Sequence, residues 1–260
     1  MFILHKNTKV NFTFQGSGTA VVLLHGFLEN ITMWNSISTQ LSKKFKVICI
    51  DLLGHGATEN HGYIHSMENQ AEMVKAVLDH LNLKKYILIG HSMGGYVALS
   101  FSQLFPKSIK GLCLMNSTAL PDTEEKKINR DRAIAAVKQN HKTFVRIAIP
   151  MLFSEENRSI FTSEIKEITQ EALKISSQGI IAALEGMKIR SNLTSIYKNA
   201  TFPIQMIIGK QDPALEYATL ITQTRHTKVH LVEFPDGHMS HIENKNELIE
   251  ALLKFGKQCG

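Results

Sequence analysis

In the stretch ILIGHSMGGYVALSF (87–101) a serine stands between glycines, Gly90-His91-Ser92-Met93-Gly94, where an unbroken apolar run passes into a segment of helical period. Glycine two residues to either side of a serine fits a strained strand-to-helix turn, because side chains at both flanking positions would collide with neighbouring elements. A serine raised on such a turn is a candidate nucleophile. Its hydroxyl projects from the C-terminal end of the strand, and the helix start behind it aims the Met93 amide at negative charge developing on a substrate. A hydroxyl is a weak nucleophile, so the reading demands a base and an acid that orients the base.

Both are available downstream, in the order serine, acid, histidine. IIGKQDP places Asp212 just after a buried apolar run, and FPDGHMSHIEN places His238 in a glycine-containing loop after the last strand candidate. Asp212 also suits a cap for the next helix, and the rival carboxylates are Asp51, Asp122 and Asp236. His241 is the rival base. Acyl chemistry also needs two donors for an oxyanion, and LLHGFLEN supplies the second: Gly26 lets the backbone turn so that the Phe27 amide meets that of Met93. His25 reads as a brace for this loop, and His91 as a packing or hydrogen-bonding residue that points away from the reacting centre. His238, His241 and Glu243 lack a second ligand cluster of metal-site spacing, so no metal and no cofactor is expected.

These residues need elements to carry them. Apolar, β-branched runs at 10–15, 20–26, 45–52, 85–91, 109–116, 204–209 and 228–234 read as strands, and the helical stretches between them predict a mostly parallel sheet covered on both faces. Helical spacing recurs over 67–81, 93–104 and 246–255. From 118 to 198 the strand pattern vanishes and three apolar stripes of helical period follow one another. The expected organisation is therefore a core of residues 1–117 and 199–260 with a helical cap, 118–198, inserted in it.

The 260 residues, 43% of them hydrophobic, suffice for one domain with a full core. No apolar run approaches membrane-spanning length, and the charged start MFILHKNTKV is unlike a leader peptide. Cys49, Cys113 and Cys259 form no CxxC pair, a usage that suits a reducing cytoplasm. The net charge of +6 comes from dispersed lysines without a basic run, which argues against a nucleic-acid partner.

LLHGF, DLLGHGAT, GHSMGG, IIGKQD and DGHMSHIEN occur in the order and approximate spacing of the α/β-hydrolase fold superfamily, which the chain resembles over essentially its whole length. The resemblance implies an α/β architecture: a mostly parallel central sheet of about eight strands, helices on both faces and a helical cap. It implies Ser92 as nucleophile, His238 as base, Asp212 as acid, and Phe27 and Met93 as oxyanion donors. Asp51 to Gly56 looks like the family's DxxGxG turn, structural there. Dehalogenases and epoxide hydrolases of this fold carry aspartate at the elbow, and hormone-sensitive-lipase-type esterases an HGGG loop. The layout here is more similar to the small capped bacterial serine carboxylesterases and their relatives: enol-lactonases, carbon–carbon bond hydrolases and the menaquinone-pathway synthase. That synthase usually has arginine after the double glycine, where this chain has Tyr96. The leading expectation is hydrolysis of carboxylic esters of small to medium acyl groups through an acyl-enzyme on Ser92, with Phe27, Tyr96, Phe144 and Leu152 as substrate contacts. The same triad would alternatively serve the carbon–carbon, lactonase or lyase chemistry of those relatives. A non-catalytic small-molecule receptor is the remaining reading, and the oligomeric state stays open.

Overall fold

The computed structural model describes residues 1–260. Its strands are β1 (Phe2–His5), β2 (Thr8–Gln15), β3 (Ala20–Leu24), β4 (Lys46–Ile50), β5 (Tyr86–His91), β6 (Ile109–Met115), β7 (Ile204–Gly209) and β8 (His230–Phe234). They form one sheet in the order β1-β2-β4-β3-β5-β6-β7-β8. β1 and β2 pair antiparallel, β2 pairs antiparallel with β4, and the rest of the sheet is parallel. The central parallel strands β3, β5 and β7 are buried along their whole length, as strands covered by crossovers on both faces must be.

The period of two along the strands sorts the core into two layers. Val22 and Leu24 of β3, Leu88 of β5 and Met206 and Ile208 of β7 pack to one face with α2 (Met67–His80) and α3 (Met93–Leu104). Val21, Leu23, Ile87, Ile89 and Ile207 pack to the other with Trp34, α1 (Asn35–Leu41) and α11 (Lys245–Cys259). α2 starts where Ser66 accepts the Asn69 amide, and its stripe of Met67, Ala71, Val74, Val77 and Leu78 lies wholly buried. At about 25 cal/mol per Å² of apolar surface, such stripes supply the driving force that fixes each helix on the sheet.

Between β6 and β7 the chain is helical throughout: α4 (Glu124–Ala148), α5 (Asn157–Ile160), α6 (Thr162–Ala172), α7 (Ser177–Lys188) and α8 (Ser195–Asn199). α4 breaks at Asn140, which leaves helical geometry (φ −160°, ψ 91°) and caps the restart by accepting the Thr143 amide at 3.0 Å. Its Ile134, Val137 and Val145 and the α7 residues Ile180, Ala183 and Leu184 join the same core layer as α2 and α3. α9 (Tyr217–Thr224) and α10 (Ser240–Glu243) follow β7 and β8. No helix is long and apolar enough to cross a membrane.

One element departs from the expectation. β1 extends the sheet through a two-residue hairpin whose corner, Lys6-Asn7, has φ of 47° and 62°. Two consecutive positive φ values make the tight primed turn whose twist matches the strands it joins.

Candidate active site

Because β3, β5, β6, β7 and β8 run parallel, the segments that follow them emerge at one edge of the sheet, where ligands of open α/β folds bind. At that edge Ser92 adopts φ 50° and ψ −114° between the last residue of β5 and the first of α3. The flanking glycines are required by contact: a Cβ on Gly90 would run into the Gly94 backbone, and one on Gly94 into the Leu24 carbonyl. The turn is tied down on both sides. Ser92 donates its amide to the Met115 carbonyl at 2.9 Å, and its own carbonyl accepts from the Gly95 amide at 2.9 Å and the Ser117 hydroxyl at 2.8 Å.

Asp212 follows β7 and fills two roles at once. Its Oδ1 accepts the amides of Ala214 and Leu215 at 2.8 and 3.1 Å, which holds the turn, while Oδ2 accepts from His238 Nδ1 at 2.7 Å and from Asn116 Nδ2 at 3.1 Å. Burial works to raise its pKa, but the His238 ring, the Asn116 amide and the Ala214 amide together hold it below the usual carboxylate value. An ionised Asp212 accepts a hydrogen bond from the Nδ1–H of His238, so the tautomer assigned from this bond leaves Nε2 with its lone pair available. His238 is held at both backbone ends, its amide on the Leu152 carbonyl and its carbonyl on His91 Nε2, each at 3.0 Å. The Ser92 hydroxyl is not hydrogen-bonded to His238 in this structure; the loops meet through His91, whose ring lies 5.1 Å from that of His238. Catalytic hydrogen bonds often tighten only once substrate is bound.

No hydrogen bond within the protein uses the Phe27 or the Met93 amide, although Met93 is wholly buried. The Gly26 carbonyl accepts from His25 Nδ1 at 2.8 Å and from the Glu29 amide at 3.3 Å, so the trans peptide turns the Phe27 N–H the opposite way. Backbone strain gathers here: beside Ser92, Leu28 has φ 64° and Asn116 φ 44°. A buried leucine at positive φ is a true outlier, held only where its surroundings over-determine it.

The rival residues are engaged elsewhere. Asp51 accepts from Asn11 Nδ2, the Ile31 amide and the Ala57 amide; Asp122 pairs with Arg130 and Arg190; Asp236 accepts from Asn244. His241 stands 3.6 Å from Glu29. Glu243, weighed as a metal ligand, instead gathers the amides of Ser154, Gly237 and Met239 and the Asn157 side chain. Of the expected substrate contacts, Leu152 touches His238 through its carbonyl, and Phe27 and Phe144 are half-buried on the main core layer. Tyr96 is buried, with the Arg190 guanidinium 4.1 Å over its ring. Sequence reasoning missed Asn116, whose Nδ2 also reaches the Gly237 carbonyl at 3.1 Å and whose Oδ1 accepts from Ser240 at 2.7 Å. It also missed Glu29, which with His91 and His241 brings three potential metal-ligating atoms within 4.8 Å of one another. An asparagine closing a strand candidate was the available signal for the first; the second had none.

A groove of about 1030 Å³ runs between residues 28–36, α6 and α10, with Glu29 and His241 in its wall. Ser92, Asp212 and His238 do not line it. The groove is therefore distinct from the candidate site formed by these converging polar groups.

The comparisons with known proteins agree with this architecture. A Bacillus subtilis protein carrying the name 2-succinyl-6-hydroxy-2,4-cyclohexadiene-1-carboxylate synthase is 31% identical over 241 residues, 86% of this chain and 85% of that protein. The solved structure of a thermophilic esterase from Thermogutta terrifontis superimposes with a TM-score of 0.91 at 29% identity, covering 97% of this chain and 94% of that one. The enol-lactonase from Burkholderia xenovorans LB400 shares the fold, with a TM-score of 0.90 at 19% identity, covering 98% of this chain and 99% of that one. Against an uncharacterised Mycobacterium tuberculosis protein, 25% identical over 224 residues, the chain spans 64% of the relative's length. A family model described as the alpha/beta hydrolase fold matches residues 19–245, and the chain belongs to that family.

Proposed function

We propose that the protein is a serine hydrolase that cleaves carboxylic esters of small to medium acyl groups through an acyl-enzyme on Ser92. The observation that carries this reading is Ser92 at φ 50° on a strand-to-helix turn, with the Met93 and Phe27 amides beside it left without partners. In the first half-reaction His238 Nε2 takes the Ser92 proton as Oγ attacks the ester carbonyl, and Asp212 stabilises the imidazolium that forms. The two amides receive the oxyanion, each worth about 3 kcal/mol of transition-state stabilisation. The tetrahedral species collapses as His238 returns the proton to the leaving alkoxide. Water then attacks the acyl-enzyme, His238 takes its proton, and the acid is released with Ser92 restored.

The helices between β6 and β7 are read as a cap over this site. The Leu152 carbonyl receives the His238 amide, and Ser154 and Asn157 reach Glu243, so the cap and the base loop are fastened together. A second reading, carbon–carbon cleavage or elimination with the same triad, draws on the likeness to the Bacillus subtilis protein and on the cationic Arg190 over Tyr96.

Hydrolysis of a p-nitrophenyl ester series by wild type and Ser92→Ala, with fluorophosphonate labelling of both, tests the proposal. The expected result is labelling of the wild type alone and a loss of roughly 10³-fold or more in kcat for Ser92→Ala. Equal activity of the two proteins refutes it, and activity on vinylogous diketones with none on esters transfers the assignment to the second reading.

A further inference from the structure

Behind the candidate triad lies a second charged pair that the reaction steps above do not use. Glu29 Oε2 accepts the Gly26 amide at 2.7 Å and lies 2.8 Å from His91 Nδ1, and the other nitrogen of His91 is 3.0 Å from the His238 carbonyl. Both side chains are almost wholly closed to solvent, at 3% and 1% exposure. The partners on the two sides of the His91 ring are a carbonyl oxygen and a carboxylate oxygen that already receives an amide. A carbonyl has no proton to offer, and neither does an ionised Glu29, so with Glu29 a carboxylate both ring nitrogens donate and His91 is an imidazolium. The neutral pair, a Glu29 carboxyl donating to Nδ1, has the same spacing and is disfavoured by the lowered Glu29 and raised His91. With one nitrogen neutral, two lone pairs would face each other in a dry interior, an arrangement that costs several kcal/mol.

Spacing identifies the bridging cation as a proton. Two ligand atoms of a tetrahedral zinc, each about 2.1 Å from the metal, stand about 3.4 Å apart. The Nδ1 to Oε2 distance of 2.8 Å is that of a charge-assisted hydrogen bond. Direction of titration agrees. Burial opposes the charged form of each, yet the Glu29 carboxylate raises His91 and the His91 imidazolium holds Glu29 down at about 2. The other titratable groups around the pair are His25 from the β3 loop with Asp51 beyond it, His55 from the β4 loop, Asp212 after β7, and His238 and His241 after β8. Burial lowers His25, His55 and His241, and among the charges that hold Glu29 down His91 is the largest, ahead of His241 and His25.

We propose that Glu29 and His91 are positioning residues: the carboxylate fixes the Gly26 amide, and with it the glycine from which the next peptide turns its Phe27 amide toward the reacting carbonyl, and the imidazolium holds the backbone of His238. The pair is thus a clamp between the loop that stabilises the oxyanion and the loop that carries the base. Gly26 is part of it, since a Cβ there would strike the Glu29 carboxylate and the His91 ring. The left-handed Leu28 lies in the short turn between Gly26 and Glu29 that this hydrogen bond closes. This assignment rests on the serine-hydrolase reading for its kinetic consequence, while the charge state of His91 does not.

The test joins two measurements on the full chain. In ¹⁵N–¹H NMR of the wild type at pH 8, His91 is expected with both ring nitrogens protonated; a neutral His91 ring overturns the proposal without any variant. Glu29→Gln keeps the shape and an acceptor for the Gly26 amide but removes the charge. It is expected to lose the imidazolium signature and to lower kcat on p-nitrophenyl esters by about tenfold to a hundredfold at nearly unchanged KM, as displaced transition-state donors do. A wild-type kcat in Glu29→Gln overturns the proposal. So does recovery of one tightly held metal ion per chain whose chelation abolishes the ring signals. Residual full activity in Ser92→Ala, with His91 still an imidazolium, would instead sink the hydrolase reading and leave the charged pair standing.

Discussion

Four buried histidines, His25, His55, His65 and His241, should set the protein's acid limit. Burial, the largest influence on each, lowers His25 and pushes His55, His65 and His241 down to about 3, 4 and 4, whereas the same rings titrate near 6.5 in the unfolded chain. The unfolded chain therefore binds protons first. Stability is whole above about pH 6.5 and is lost progressively as pH falls from there toward 4. Between pH 7 and 5 linkage gives about 2 kcal/mol for each of His55, His65 and His241 and roughly 5 kcal/mol for the three, to which His25 adds in the same sense, a large share of the ~5–15 kcal/mol that holds a domain together. His91 works in the opposite sense. Its folded value is raised, so its contribution is full below pH 6.5 and is lost as pH rises through the folded value, which offsets part of the change near neutrality. Glu29 and Asp212, both held low, lose their contributions only below their unfolded values of 4.5 and 3.8 and stay out of this window. The sole tryptophan, Trp34, is fully buried and reports unfolding by its fluorescence. The urea midpoint should fall by on the order of 1 M between pH 7 and 5, and His65→Asn should remove roughly a quarter of that dependence. A midpoint unchanged across this range refutes the reasoning.

Asn116→Ala strands the Gly237 carbonyl and the Ser240 hydroxyl and takes one hydrogen bond from Asp212. The expected cost is about 2–4 kcal/mol in urea unfolding, with kcat on p-nitrophenyl esters down about tenfold. Asp122→Asn removes the one carboxylate shared by Arg130 and the buried Arg190, and leaves two cations facing each other. It should cost about 3–5 kcal/mol by the same measurement, and a cost under about 1 kcal/mol would show that water reaches the pair.

The parts of the site that were legible in the sequence are those whose geometry is local. Gly90, Ser92 and Gly94 can be read as an elbow because the contacts that forbid side chains at the two glycines come from the turn itself and from the adjacent strand. Asp212 and His238 were legible as residues just past apolar runs, since a parallel sheet brings every such position to one edge. Locality also explains the ambiguity among rivals. Asp122 follows a strand as Asp212 does, and only the fold reveals that its partners sit 8 and 68 residues away. β1 escaped notice because its four residues are half-exposed and its turn residues, Lys6 and Asn7, are ordinary in composition.

What escaped entirely is the layer that holds the elbow and its partners in register. Asn116 spans 96 residues to Asp212 and 124 to Ser240, Glu29 spans 62 to His91, and His91 spans 147 to the His238 carbonyl. Asn116 and Glu29 belong to no recognisable spacing, and His91, legible as a hydrogen-bonding residue of the elbow, gave no sign of its partners, because the constraint on each is set by a group that approaches only once the sheet is assembled. The three positive-φ residues at this edge make the same point energetically. Ser92, Leu28 and Asn116 each sit in a conformation that costs of order 1–3 kcal/mol. Leucine in particular offers no local compensation for it, so the strain has to be held by hydrogen bonds from elsewhere. Gly26 shows how such a constraint reaches the sequence. It reads as a turn glycine, yet the space its missing side chain leaves is filled by the Glu29 carboxylate and the His91 ring. The charged pair, and not the turn alone, makes glycine obligatory there.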